Sequence, residues 1–213
     1  DEGFHAGMID AFLRKEWDNL PTNVTTPPFF HAVIAFFVHI SGVESKLLEA
    51  MRAAQFVISL GAIPCFYFIA AQLKKNDSDM RMLLCLTMPA YIPLFGVVYT
   101  DPPAVTFTML MVLFMLKGNH WLAALMAIVG IGIRQMTVIW ACFCALYTLI
   151  ELAHTYHVQG RLKSALTSAT QWFKAAWLVT PYLLPAAVFI AFTLYNGGVV
   201  AGDQAQHPTS LNM

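Results

Sequence analysis

The sequence predicts an all-α, polytopic transmembrane helical bundle. Three observations carry that expectation. Hydrophobic residues make up 58% of the 213-residue chain and charged residues only 11%, where a soluble domain carries about 25% charged residues. The runs 53–73, 82–100, 102–116, 121–150 and 177–195 hold a single charge between them, Arg134. As helices several of these are long enough, or nearly so, to cross a hydrocarbon core, which takes roughly 20 residues. The remaining charges lie in residues 1–52 and in short tracts outside the runs, such as KKNDSDMR (74–81) and HTYHVQGRLK (154–163). A formal net charge of zero gives no electrostatic footprint for nucleic acid.

Residues 1–46 differ from the rest and form the first expected domain. Phe4, Met8, Ile9, Phe12 and Leu13 recur at roughly helical spacing between charges, which predicts an amphipathic helix lying on the membrane. NVTTPP ends it. FFHAVIAFFVHI (29–40) is too short to span and is expected in the interface. Residues 47–213 form the second domain, with about six spans: 50–73, 82–98, 102–116, 121–133, 136–152 and 175–195. The chain opens on DEGFH without an initiator Met and stops on SLNM, so a piece of a longer chain is expected. Cys65, Cys85, Cys142 and Cys144 all sit in apolar runs without the spacing of a zinc site or disulfide framework. They are read as buried small residues.

The run 121–150 decides the topology. As one helix it would be about 45 Å long, too long for one upright span and short for two. An arginine at mid-bilayer costs about 2.5–3.5 kcal/mol on insertion scales. A turn at Arg134 removes that cost by bringing the guanidinium to the surface, so two spans are expected there. Alternation then puts Lys74, Lys75, Arg81, Lys117, Arg161, Lys163 and Lys174 on one side, against Asp77, Asp79 and Glu151. The positive-inside rule makes that side cytoplasmic. The sequon at Asn23 faces the other side, while the sequon at Asn76 is cytoplasmic and is expected to stay unmodified.

The same alternation gathers Asp1, Glu2, His5, Tyr99, Asp101, Arg134, Gln135, Asn196, Asp203 and His207 on the non-cytoplasmic face. Polar groups near the bilayer mark a site. Asp1 and Glu2 are paired carboxylates, suited to general-base work or simply to complementing a helix dipole. Asp1 and His5, four apart, are the spacing of a metal pair but lack the first His of the zinc-protease motif. In YTDPP (99–103) the prolines suit a first helical turn, with Asp101 as its N-cap. Arg134 suits bidentate grip on a phosphate or carboxylate, and equally a snorkelling contact with lipid phosphate. NGG (196–198) reads as a helix stop with glycines for positive φ. DSD (77–79) imitates a nucleotide-sugar metal motif, but in a short basic loop it reads as solvated.

Together DEGFH, TTPP, YTD, RQMTVIWA and NGGVVAGDQAQH, in that order over nearly the whole chain, resemble the dolichyl-phosphate-glucose-dependent α-1,2-glucosyltransferase family. Gly3, Met136 and Thr137 depart from that pattern. The resemblance implies a GT-C type glycosyltransferase fold in the endoplasmic reticulum membrane, multi-pass, with a lumenal active site; in a bacterium the same topology would occupy the inner membrane. It implies dolichyl phosphate glucose as donor, a lipid-linked oligosaccharide as acceptor, an inverting transfer, and no cofactor or essential metal. By that analogy Asp1 is the expected base, with Glu2 or His5 orienting it. Arg134 and Gln135 hold the donor phosphate. Tyr99, Asp101, Asn196, Asp203 and His207 bind sugar or shape the pocket.

Three other readings compete. Another polyprenyl-phosphate-sugar transferase would use the same chemistry on a different acceptor. A non-catalytic membrane regulator would keep the fold and lose the Asp1/Arg134 pair, yet both residues are present. A transporter would want a polar path through the bilayer, whereas these polar residues collect at one surface.

Overall fold

Two prolines behind Asp101, an asparagine ahead of His120 and an arginine after Ile133 set the limits of the central helical hairpin. The computed structural model describes residues 2–16, 24, 26–42, 46–73, 94 and 96–199. Among these residues the regular elements are all helical. In chain order they are α1 (Glu2–Leu13), α2 (Phe29–Ser41), α3 (Leu47–Leu60), α4 (Ala62–Gln72), α5 (Asp101–Leu116), α6 (His120–Ile133), α7 (Thr137–Val158), α8 (Leu162–Thr167) and α9 (Ala169–Asn196).

The α5–α6 hairpin is the centre of the bundle. Gly118, at φ 75°, takes the left-handed conformation that turns the chain. Asn119 then caps α6, its side chain accepting from the Leu122 N–H at 3.2 Å. Helices α4 and α3 pack on α5, α9 packs on α6 and α7, and α2 packs on α1, α3 and α6. Close approach needs small residues at the contacts. Ala123, Ala127 and Gly130 line one stripe of α6 and are buried. A Cβ on Gly61, between α3 and α4, would come within 2.9 Å of the Thr106 Cγ2 on α5.

Among the described residues the core falls into two apolar clusters along the bundle. Ile9, Phe30, Ile34, Met51, Val98 and Ile133 meet at one end. Met111, Met115, Ala127, Ala141, Cys144 and Tyr182 fill the other half. Gln72, Leu116, Gly118, Glu151 and Lys174 line one recess, so the ends of α4 and α5 and the starts of α6 and α9 share the second end. The opposite termini of these helices share the first.

Among the described residues three stretches are long and apolar enough to cross a membrane: Leu47–Gln72 (α3 with α4), Thr137–Val158 and Ala169–Asn196, of 26, 22 and 28 residues. They match the first, fifth and sixth expected spans. The third and fourth correspond to α5 and α6, apolar but only 16 and 14 residues long. That is short for upright crossings taken alone. The second expected span, 82–98, lies almost wholly outside the described residues, as do Cys85, both sequons and the DSD tract.

The stretch around Arg134 is two helices, as the length argument requires. Met136 occupies the cap position of α7, and the Thr137 N–H bonds to the Arg134 carbonyl at 3.0 Å. Two expectations need correction. Asp101 is not the cap of α5: Thr100 holds that position, and Asp101 begins the helix with its side chain turned to Arg134. Of the cysteines, Cys65 and Cys144 are buried, but Cys142 is exposed, because it lies on the outward apolar face of α7 with Phe143 and Leu146.

Candidate functional site

The first end of the bundle is where the sequence-predicted polar residues meet. Its foundation is α3, whose polar face carries Arg52, Gln55 and Ser59 at helical spacing. Arg52 grips Glu2 with both prongs, Nε to Oε1 at 2.8 Å and Nη2 to Oε2 at 2.7 Å. The Val98 N–H donates to the same Oε1 at 2.8 Å. Hydrogen bonding from Arg52, helped by that backbone donor, holds the Glu2 carboxyl down at a pKa of about 2. Glu2 is therefore a fixed anion joining α1, α3 and the approach to α5.

One turn along, Gln55 is 0% exposed. Its carboxamide donates to the Leu94 carbonyl at 3.1 Å and accepts from the Tyr99 N–H at 2.7 Å. These two bonds give the Leu94 carbonyl and the Tyr99 N–H a side-chain partner on α3. The Ser59 hydroxyl bonds the Gln55 carbonyl at 2.8 Å, and Thr106 bonds the Ser59 carbonyl at 3.2 Å. Tyr99 and Asp101 are thus hung from α3.

Asp101 faces Arg134. The α6 helix ends with the Arg134 N–H on the Gly130 carbonyl at 2.8 Å, and Arg134 itself is extended, at φ −147° and ψ 117°. The guanidinium Nη1 donates to Asp101 Oδ1. The side chains are 36% and 32% exposed, so the pair is within reach of a ligand. Gly130 makes the turn possible: Thr137 packs on it, and the Thr137 hydroxyl donates to the Gly130 carbonyl at 3.2 Å. Gln135 donates through Nε2 to the Val199 carbonyl at 3.3 Å, which brings the end of α9 to the same turn. Gly197, at φ 74°, terminates α9, and Asn196 folds its amide onto the Gly198 carbonyl at 3.0 Å.

His5 completes the described cluster. Its ring lies edge-on to Tyr99, with centroids 5.4 Å apart, and its Nδ1 is 2.9 Å from Nε2 of His31 on α2. Burial lowers the His5 pKa, while Asp101 and Arg134 are near enough to act on it in opposite senses. His31 is fully buried, and that burial holds its pKa at about 3.

The structure therefore brings together Glu2, His5, Tyr99, Asp101, Arg134 and Gln135, with Asn196 at the adjoining end of α9. Asp1, Asp203 and His207 lie outside the described residues. Sequence reasoning missed Arg52, Gln55 and His31. Gln55 carries a usable signal, a carboxamide within the uncharged, mostly apolar run 53–73. Arg52 carries no such signal, because its partner Glu2 is 50 residues away in the chain.

In comparisons with known proteins, the DIE2/ALG10 family model matches residues 1–213. The "Dol-P-Glc:Glc(2)Man(9)GlcNAc(2)-PP-Dol alpha-1,2-glucosyltransferase" of Mus musculus is 26% identical over 100% of this chain and 53% of its own length. A Homo sapiens protein of the same name is 25% identical, again over 100% and 53%. The Candida glabrata protein of that name is 22% identical, over 100% and 43%. The chain thus spans about half the length of these curated relatives. No solved structure matches it.

Proposed function

Because the chain belongs to the DIE2/ALG10 family, we propose that it forms part of an inverting glucosyltransferase. This enzyme moves glucose from dolichyl phosphate glucose to a lipid-linked oligosaccharide in α-1,2 linkage, at the lumenal face of the endoplasmic reticulum membrane. One observation carries the reading. The Asp101–Arg134 ion pair stands where the α6–α7 turn, the start of α5 and the end of α9 converge, and it is part-exposed.

The chemistry asks for two things at that place. A base takes the proton from the acceptor hydroxyl as its oxygen bonds to the glucosyl carbon. The bond from that carbon to the phosphate oxygen breaks, and dolichyl phosphate leaves with the electron pair. Charge grows on the phosphate, so a preorganised cation is worth most there. Arg134 supplies it, and Asp101 orients the guanidinium so that little reorganisation is left for the reaction. Gln135 sits beside it in the same turn. Asp1 is the proposed base. Glu2 fixes the start of α1 through Arg52. Tyr99, His5 and Asn196 border the sugar, with Asp203 and His207 contributed by the segment after α9.

The test is Arg134→Ala in the full-length protein. Transfer falls by about 10²–10³-fold, the usual loss for one charge-stabilising donor, while membrane insertion is unchanged. Asp1→Asn removes transfer and spares donor binding. Normal turnover by Arg134→Ala would refute the phosphate role. A panel of defined acceptors separates this enzyme from a relative using the same donor on another sugar.

A further inference from the structure

The chain leaves α7 at Val158 and enters α9 at Ala169 through the short helix α8. Helix α8 packs on both neighbours, at the second end of the bundle. Two cavities lie against it. One, of about 240 Å³, is apolar, with Leu149 and Leu152 of α7, Leu162 and Leu166 of α8 and Trp172 of α9 in its wall. The other, of about 210 Å³, is polar and carries Arg161, Ser164 and Ser168. Tyr156, Ala165 and Gln171 line both, so the two adjoin. The polar cavity offers donors and no carboxylate. Its Arg161 guanidinium forms no ion pair among the described residues. Tyr156 donates its hydroxyl to Gln171 Oε1, which engages the acceptor end of that carboxamide and leaves its N–H donors. A donor-rich cavity without negative charge suits an anion. Each chamber is smaller than the roughly 300–1,000 Å³ that holds a whole small molecule. Together they fit a molecule with an anionic head and an apolar tail.

We propose that this paired cavity binds an anionic phospholipid, with the phosphate on Arg161 and Ser168 and the start of one acyl chain between α7, α8 and α9. The apolar chamber commits the site to a lipid over a free phosphate. Leu149, Leu166 and Trp172 in its wall are exposed, and α7 and α9 are long and apolar enough to cross a membrane. The chamber thus opens where acyl chains run. Trp172, whose Nε1 donates to the Leu166 carbonyl at 2.9 Å, is the residue type that collects at headgroup level. Charge complements the head. Lys163 and Lys174 share this end of the bundle with Arg161, on the side that the basic tracts mark as cytoplasmic, and anionic lipids gather in the cytoplasmic leaflet. No carboxylate lines either chamber to receive the ammonium of a zwitterionic head, so the anionic lipid is preferred. The site lies at the opposite end of the bundle from the Asp101–Arg134 pair and stands independently of the catalytic reading.

The experiment uses the full-length protein in phosphatidylcholine nanodiscs. These are doped with phosphatidylserine carrying a photoreactive diazirine in one acyl chain, or with phosphatidylcholine carrying the same chain. After illumination, adducts are mapped by peptide mass spectrometry. Phosphatidylserine adducts fall on residues 149–175 and exceed the phosphatidylcholine adducts roughly five-fold, the worth of one basic residue near an anionic lipid. Arg161→Gln removes that preference. Lys163→Gln, two residues on and outside both linings, keeps it. Ala165→Trp fills the shared wall and lowers the adducts of both probes. Added inorganic phosphate does not compete. Equal labelling by the two probes overturns the proposal, as does an equal loss in Arg161→Gln and Lys163→Gln, because the attraction is then diffuse. Competition by inorganic phosphate also overturns it and makes the occupant a free anion. So does an absence of adducts in that stretch, which leaves the rest of the longer chain as its cover. If Ala165→Trp does not accumulate in the membrane, the comparison of Arg161→Gln with Lys163→Gln decides alone.

Discussion

Replacing Gln55 tests whether the site is hung from α3. Gln55→Leu keeps most of the side-chain volume and removes both hydrogen bonds of the carboxamide. The Leu94 carbonyl and the Tyr99 N–H then lose their partner beside a residue that is 0% exposed. Each unsatisfied backbone group costs about 1–3 kcal/mol, so the loss for the two is about 2–6 kcal/mol. Val57→Ala, at an outward position of the same helix that is 68% exposed, is the control and stays within about 0.5 kcal/mol. Detergent-titration unfolding of the full-length protein measures both. Transfer is hit as well, since Tyr99 and Asp101 follow the tether, and a displacement of about 1 Å costs on the order of 10²-fold. Gln55→Glu sharpens the test. Its carboxylate still accepts from Tyr99 but turns an oxygen toward the Leu94 carbonyl. Protonation restores the donor, so this variant recovers stability as pH falls, opposite to wild type. Wild-type stability and turnover in Gln55→Leu would refute the tether.

The remaining predictions concern other contacts. Gly130→Ala puts a Cβ within 2.7 Å of Thr137 Cγ2 and loses about 1–3 kcal/mol by overpacking; Thr137→Ser removes that methyl, keeps the hydroxyl, and rescues it in the double variant. Glu2 has its pKa lowered from 4.5 to about 2, so its contribution is fully present above pH 4.5 and is lost as pH falls toward 2. Arg52→Ala flattens stability against pH in that window, partly damped because the pair is in contact with solvent. His31 is lowered from 6.5 to about 3, so the unfolded chain takes up its proton first, and stability falls as pH drops from 6.5 toward 3; His31→Leu removes that slope in thermal unfolding. Cysteines placed at Met136 and at Gly118 label from opposite sides with an impermeant maleimide, and labelling of both from one side would break the topology.

The break at Arg134 was legible because it rests on length and charge, which a sequence displays directly. An apolar run of some 45 Å with one guanidinium must bend, and it does so at Arg134. The gathering of Glu2, His5, Tyr99, Asp101 and Gln135 followed from counting crossings alone. The partners were not legible. Pairing Glu2 with Arg52 joins residues 50 apart, and the bond from Val98 to Glu2 spans 96; no local pattern encodes either. Asp101 was read as a cap because Asp before two prolines suits one, but tertiary attraction to Arg134 outweighed the local preference. His31 was hidden by its setting, a histidine inside FFHAVIAFF, where an aromatic-rich run reads as membrane interface.

The shortness of the central hairpin explains why this site needs its own ion pair. At 1.5 Å per residue, α5 and α6 are about 24 and 21 Å long, while α7 and α9 beside them are about 33 and 42 Å. A hydrocarbon core is about 30 Å thick. With the Lys117–Asn119 turn at one surface, the Asp101–Arg134 end stops about 6–9 Å short of the other, by the same rise per residue. The polar cluster then lies below that surface, beside α1, α2 and the end of α9. At that depth a lone guanidinium would be poorly solvated, and a carboxylate opposite it supplies the missing counter-charge. The same depth suits a lipid-borne phosphate, whose polyprenyl tail stays in the bilayer while its head reaches the cluster. If the hairpin were lengthened by one turn in each helix, Arg134 would rise by about 5 Å to the open surface. It would then hold headgroup phosphates in general, and selective capture of a single-chain lipid phosphate over bulk phospholipid in binding assays would vanish. Retained selectivity in such a variant would show that depth has no part in recognition.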